Sequence, residues 1–278
     1  MRVIDAKKIT EVVREMCIRV NRYLPRDVEK CLAAAAAREE SAIAKEVLRQ
    51  LTENIKLAAE TGLPLCQDTG LAVLFIEIGQ DVHIRGNLRE AINEGVRQGY
   101  KDGYLRSSVA DPVSRTNTGD NTPAVIHYDI VAGDRLHIGL MSKGGGSENM
   151  SRVTMLAPAE GWEGVKKFTL TRVAEARSNP CPPITIGVGM GGSFEQSAIL
   201  AKKALLRELD DVNANPDLAA KEQELLGLVN KLGIGPMGLG GVTTCLGVKI
   251  LTSPCHIASL PLAVNIQCHS SRHEEVDL

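Results

Sequence analysis

The hydrophobic period changes at Pro64, and that change limits the folds open to the chain. Before it, apolar residues recur at helical spacing. Ile9, Val12, Val13, Met16, Cys17 and Val20 make one stripe, and Ile43, Val47, Leu48, Leu51, Ile55 and Ala58 make another. Pro25 ends the first helix, a second starts near Asp27 and runs through the alanines of 33–37, and Thr61-Gly62 closes the third. After Pro64 strands enter. Residues 72–78 form a nearly unbroken apolar run, the pattern of a strand covered on both faces.

The remainder alternates irregularly. Asn87 is placed to cap a helix ending near Gly103, and the strands 125–131 and 136–141 flank Ala132-Gly133-Asp134 as a predicted hairpin. Helices are predicted over 161–177, 194–209 and 217–232, strands over 184–188, 245–251 and 257–266, and a charged tail over 272–278. The expected class is α+β (mixed α/β), with a helical cover over about 1–62 followed by mixed sheets flanked by helices. No repeat or long linker forces a boundary, so a single domain over 1–278 is expected, with room for two lobes.

Charge and cysteine content exclude several function classes. Thirty-two Lys+Arg balance thirty-four Asp+Glu for a net charge of −2, without a run of one sign, so no nucleic-acid partner is expected. The opening residues carry no apolar targeting segment. The longest uncharged stretch, 250–271, is interrupted by Pro254, Pro261, Asn265, Gln267 and His269 and cannot cross a bilayer as a helix. A cytoplasmic location away from membranes is the expectation. There the seven cysteines serve as core filler, ligands or nucleophiles rather than disulfides.

Three stretches are polar or rigid in ways a core does not require. In Leu65-Cys66-Gln67-Asp68-Thr69-Gly70 a thiol stands beside a carboxylate and a carboxamide at a helix–strand junction, a metal ligand next to a proton-transfer group. A plain turn with a packed Cys66 is the alternative. Lys143-Gly144-Gly145-Gly146-Ser147 offers backbone N–H groups and a cation to an anion, or is a flexible connector; it lacks the spacing of a nucleotide P-loop. In Asn179-Pro180-Cys181-Pro182-Pro183 prolines hold a thiol rigidly, as a ligand or as an inert residue. No two cysteines have the local C-x2-C spacing of a zinc finger or a bacterial ferredoxin, so any metal site must be assembled by the fold.

Taken in order with Leu105-Arg106, Asn117-Thr118-Gly119, Asn121, Pro123 and Cys268 before Ser271-Arg272, these motifs resemble the iron–sulfur hydro-lyases of the class I fumarase and tartrate dehydratase family. The likeness spans essentially the whole chain and is to the α subunit of the two-subunit form. It implies an oxygen-sensitive [4Fe–4S] cluster on Cys66, Cys181 and Cys268, with Cys255 the competitor for the third place and Cys17 and Cys31 core residues. One iron would lack a protein ligand and be free to act as a Lewis acid. The resemblance makes Asp68, Gln67, Arg106 and Lys143 the catalytic candidates, Asp68 as acid–base, and Gln67, Asp68, Arg106 and Gly145 the contacts to a dicarboxylate. The implied activity is reversible hydration of fumarate to (S)-malate, a tricarboxylic acid cycle reaction, with L(+)-tartrate dehydration as the alternative and a non-catalytic iron–sulfur sensor as the reading of another class. Because the family's second domain is not in this chain, the resemblance also implies a hetero-oligomer in which a β subunit completes the pocket and without which α is inactive.

Overall fold

The computed structural model describes residues 1–278. In its first half the elements run β1 (Arg2–Asp5), α1 (Ala6–Arg22), α2 (Arg26–Arg38), α3 (Ala42–Thr61), β2 (Leu71–Gly79), β3 (Val82–Arg85), α4 (Leu88–Asp102), β4 (Val125–Val131) and β5 (Leu136–Lys143). Then follow α5 (Gly145–Glu148), β6 (Arg152–Leu156), α6 (Gly161–Ala176), β7 (Ile184–Gly191), α7 (Phe194–Ala204), α8 (Pro216–Asn230), β8 (Cys245–Ser253), β9 (Leu260–Gln267) and β10 (His273–Asp277). The class is α+β. The chain divides into two compact units, each discontinuous in sequence: Met1–Pro25, Ile55–Gly145 and Arg272–Leu278 form one, Arg26–Asn54 and Gly146–Ser271 the other. The helices of 1–62 are therefore shared out, α1 to the first unit and α2 to the second. No helix is long and apolar enough to cross a membrane.

The first unit is built on a mixed sheet of order β10-β5-β2-β4. Its inner strand β2 is the apolar run, with residues 72–76 all buried, and it pairs antiparallel with β5 and parallel with β4. The expected hairpin between β4 and β5 is thus not formed, because β2 lies between them. The Gly-containing link instead binds the end of β2. The Gly79 and Asp81 N–H groups donate to the Arg135 and Gly133 carbonyls at 2.8 and 2.9 Å. A strand apolar on both faces gains most from an inner position, and that gain outweighs local turn chemistry. The charged tail is likewise a strand, β10, at the sheet edge, where charged side chains are tolerated. Helices α1 and α4 cover one face. Ile9, Val13 and Met16 meet Ile92 and Val96 over Leu74, Ile76, Ile138 and Leu140.

The second unit holds a sheet of order β6-β9-β7-β8, with β7 parallel to β8 and antiparallel to β9. Its core gathers Ile184, Ile186, Val188, Val248, Ile250, Val264 and Ile266 with Val165 and Val173 of α6 and Leu225 and Val229 of α8. Helix α2 is tied in by the Asp27 carboxylate, which accepts the Leu209 N–H at 2.7 Å. The loop after α2 is held by Glu39, whose carboxylate accepts the Val242 N–H.

Candidate active-site residues

The loop 62–70 leads from α3 into β2, and its course is set by side chains donating to its backbone. Tyr100 Oη donates to the carbonyls of Thr69 and Gly70 at 2.8 and 3.0 Å, and Asn121 Nδ2 donates to that of Gly70 at 3.2 Å. Ser142 Oγ donates to the Thr69 carbonyl at 2.6 Å. Burial pushes the Tyr100 hydroxyl well above its ordinary pKa, so it stays a donor. Gly70 has φ +70°, and a Cβ there would stand 2.7 Å from the Lys143 backbone, so only glycine lets this loop cross the end of β5.

This frame aims Asp68. Its Oδ1 accepts the Gly70 N–H at 3.0 Å and its Oδ2 accepts the Gly145 N–H at 2.8 Å. Arg106 Nη2 stands 3.6 Å from Oδ1, its own backbone held by Thr69 Oγ1, which donates to the Arg106 carbonyl at 3.0 Å. Two N–H donors, one on each oxygen, fix the orientation of the carboxylate beside the guanidinium. The Asp68 N–H in turn donates to Cys66 Sγ at 3.4 Å, and Gln67 Oε1 lies 3.3 Å from that sulfur. Cys66, Gln67, Asp68, Arg106 and Gly145 are therefore one cluster in the first unit. The Gly145 N–H, expected to face substrate, is directed at Asp68. Lys143 closes β5 with its side chain buried.

Several residues here are not among the catalytic or binding candidates, although Arg272 belongs to one of the ordered motifs. Arg272 is fully buried, donates through Nη1 to Asn21 Oδ1 at 3.0 Å and leaves its Nε without a partner. A Cβ on Gly144 would lie 3.1 Å from Asp68 Oδ2 and 3.7 Å from Arg272 Nη2, so this cation also flanks the glycine loop. Asn21 further accepts from Ser142 at 3.2 Å. The one available signal was a polar Asn21 on the buried side of α1, which a helical-wheel reading shows; Tyr100 and Ser142 gave none.

In the second unit the β7–β9 register brings two thiols to the same sheet end. Thr185 opposes Gln267, so Cys181, before β7, and Cys268, after β9, lie at that end, and the His269 N–H donates to the Cys181 carbonyl at 3.2 Å. Cys181 is exposed and left-handed, with φ +54°, its N–H donating to the Ser178 carbonyl at 2.9 Å. Cys255 is elsewhere. It follows β8, whose end Ser253 opposes Gly191, so it sits off the opposite end of an eight-residue strand, roughly 25 Å of sheet away. Burial pushes the Cys17 and Cys245 thiols up to about 12, which makes them core groups rather than thiolates. Within neither unit do three His, Cys, Asp or Glu side chains gather closely enough to hold a metal ion.

Comparison with known proteins places the chain in a family. The family model described as fumarate hydratase (Fumerase) matches residues 10–277. A Methanocaldococcus jannaschii protein named "Putative L(+)-tartrate dehydratase subunit alpha" is 43% identical over 272 residues, 95% of each chain. The L(+)-tartrate dehydratase subunit alpha of Escherichia coli is 32% identical over 269 residues, 95% of this chain and 89% of the relative. With matches of this extent, the chain belongs to the fumarate hydratase family of hydro-lyases.

Proposed function

We propose that this chain is the α subunit of an iron–sulfur hydro-lyase that dehydrates a hydroxylated four-carbon dicarboxylate, with L(+)-tartrate the favoured substrate. The observation that carries the reaction class is the clamped Asp68, a carboxylate held between the Gly70 and Gly145 N–H groups beside Arg106. The preference for tartrate over fumarate, the first expectation, rests on the relatives' names, each a tartrate dehydratase α subunit and each matched over nearly its whole length. Those names also support a β-subunit partner and a hetero-oligomer.

Dehydration removes a proton from the carbon next to one carboxylate and hydroxide from the neighbouring carbon. Asp68 is the group assigned to that proton. Its two N–H donors hold the carboxyl group in one orientation, so it can accept at a defined atom and return the proton in the reverse direction. Arg106, more than half exposed beside it, is assigned to a substrate carboxylate through its forked guanidinium. Gln67 is assigned to substrate contact next to Cys66, and Lys143 to balancing negative charge beneath the glycine loop.

Cys66, Cys181 and Cys268 are the thiols proposed to hold a [4Fe–4S] cluster, in preference to Cys255. The donor chemistry fits: the three are at least partly accessible, whereas Cys17 and Cys245 are buried neutral thiols. The left-handed backbone at Cys181, a conformation that costs a non-glycine residue about 1–3 kcal/mol, is the kind of strain retained where a side chain must be aimed. When bound, the cluster supplies a Lewis-acidic iron for the departing hydroxyl. The fumarase reading keeps one specific support, the family model itself.

Anaerobic turnover by the α/β pair and by α alone, with L(+)-tartrate and with (S)-malate as substrates, tests the assignment. The expectation is tartrate turnover by the pair, weaker malate turnover, and none by α alone. Faster malate turnover would return the assignment to fumarase, and full activity of α alone would remove the β subunit from the site.

A further inference from the structure

Strand β4 ends the first unit's sheet, and its outer side has no neighbour in the fold. It is not blunted. Val125, Tyr128 and Ile130 are 38%, 47% and 70% exposed, and the strand carries no lysine, proline or bulge of the kind that protects an open edge. The Val131 carbonyl accepts the Gln80 N–H on the β2 side. N–H and C=O directions alternate along a strand, so those of Ile126, Tyr128 and Ile130 face outward.

The sequence of this edge reads nearly the same in both directions: Ala124-Val125-Ile126-His127-Tyr128-Asp129-Ile130-Val131-Ala132. Set antiparallel against itself with Tyr128 at the centre, it places Val125 against Val131, Ile126 against Ile130 and Ala124 against Ala132. The single mismatch is complementary, because it sets the His127 imidazole against the Asp129 carboxylate, twice. The backbone agrees with the side chains. The outward-facing residues 126, 128 and 130 become the hydrogen-bonded pairs, and His127 and Asp129 fall in the intervening non-hydrogen-bonded pairs, where side chains approach most closely. Each strand meets the same residues it presents, which is the condition for a two-fold interface between identical chains.

We infer that β4 pairs antiparallel with β4 of a second copy of this chain about a two-fold axis at Tyr128, joining two four-stranded sheets into one of eight. The Ile126, Tyr128 and Ile130 side chains, on the helix-covered face opposite Leu74, Ile76 and Ile78, then continue the apolar layer from one copy to the next. The α–α contact is independent of the substrate assignment and adds to the α–β contact proposed above.

Sedimentation of the full chain and site-directed cross-linking test this. The chain is expected to sediment at twice its 29.9 kDa, and Ile130→Pro, which removes an outward N–H and leaves the β2 ladder intact, to return it to the single-chain mass. Tyr128→Cys is expected to cross-link to its own copy on mild oxidation, because opposed residues of a hydrogen-bonded pair lie about 5.5 Å apart between Cα atoms, within disulfide reach. Ile130→Cys, which would face Ile126 of the other copy, is expected to stay at the level of the parent chain. The α/β complex should give the same pattern. Single-chain sedimentation at tens of micromolar, equal cross-linking of the two cysteine variants, or protection of Tyr128→Cys by the β subunit alone would overturn the inference; the last result would assign the edge to β.

Discussion

Asp68 in the first unit and Cys181 in the second are both chemistry-bearing residues on loops that enter a central strand, yet they are held differently. Asp68 is aimed through its side chain, by N–H groups on both oxygens, and its loop is strapped by Tyr100, Asn121 and Ser142. Cys181 is held through its backbone, by the Ser178 carbonyl on one side and His269 on the other, in an exposed position. The difference follows from the task proposed for each. A proton-transfer carboxylate works from one oxygen lone pair and is oriented by bonds to its side chain, whereas a thiolate ligand can be aimed through a fixed backbone and needs an open approach.

If that contrast is right, the largest effect falls on the thiols. Cys181→Ser and Cys268→Ser should each abolish iron incorporation into the anaerobically reconstituted complex, read by absorption and iron content, while Cys255→Ser leaves it intact. Iron loss in Cys255→Ser with retention in Cys268→Ser would reverse the assignment. Next comes Asp68→Asn, expected to cut turnover by roughly 10²–10⁴-fold with iron content unchanged, the range for loss of a general acid–base. Turnover near the parent level would remove Asp68 from the reaction.

Two smaller tests concern the frame alone. Gly70→Ala forces a left-handed alanine against the Lys143 backbone, and the conformation alone costs about 1–3 kcal/mol. A fall in melting temperature of several degrees should accompany it. An unchanged melting temperature would show that the loop can move aside. The smallest effect is expected at β10. Burial lowers the His137 pKa, but hydrogen bonds to Asp277 and Glu275 outweigh it and hold the group above its ordinary 6.5. Its contribution to stability is then fully present below about pH 6.5 and is lost as pH rises through the raised value. The protection of the β10 amides, measured against their intrinsic exchange rate at each pH, should therefore fall across that window in the parent chain and stay level in His137→Gln.

Much of the fold was legible because it is local. Helix α4 starts at Asn87, whose Oδ1 accepts the Glu90 N–H at 3.1 Å, as its cap chemistry indicates, and the apolar run of β2 gave an inner strand. Pairing was not legible. The hairpin expected between β4 and β5 fails because β2 competes for both edges, and the tail over 272–278 is a strand only because β5 offers it an edge. The Asp68 motif was visible as a motif, but its clamp was not, since Tyr100, Ser142 and Arg272 come from distant segments.

By itself the sequence determined the main helices and the inner strands, the ordered motifs and, through them, the family, because propensity, capping and motif spacing are written in neighbouring residues. The tertiary structure alone decided which thiols share a sheet end, which N–H groups orient Asp68 and which strand is left at the edge. Those depend on strand register and on buried side chains meeting across the fold, where the energy lies between residues far apart in the chain.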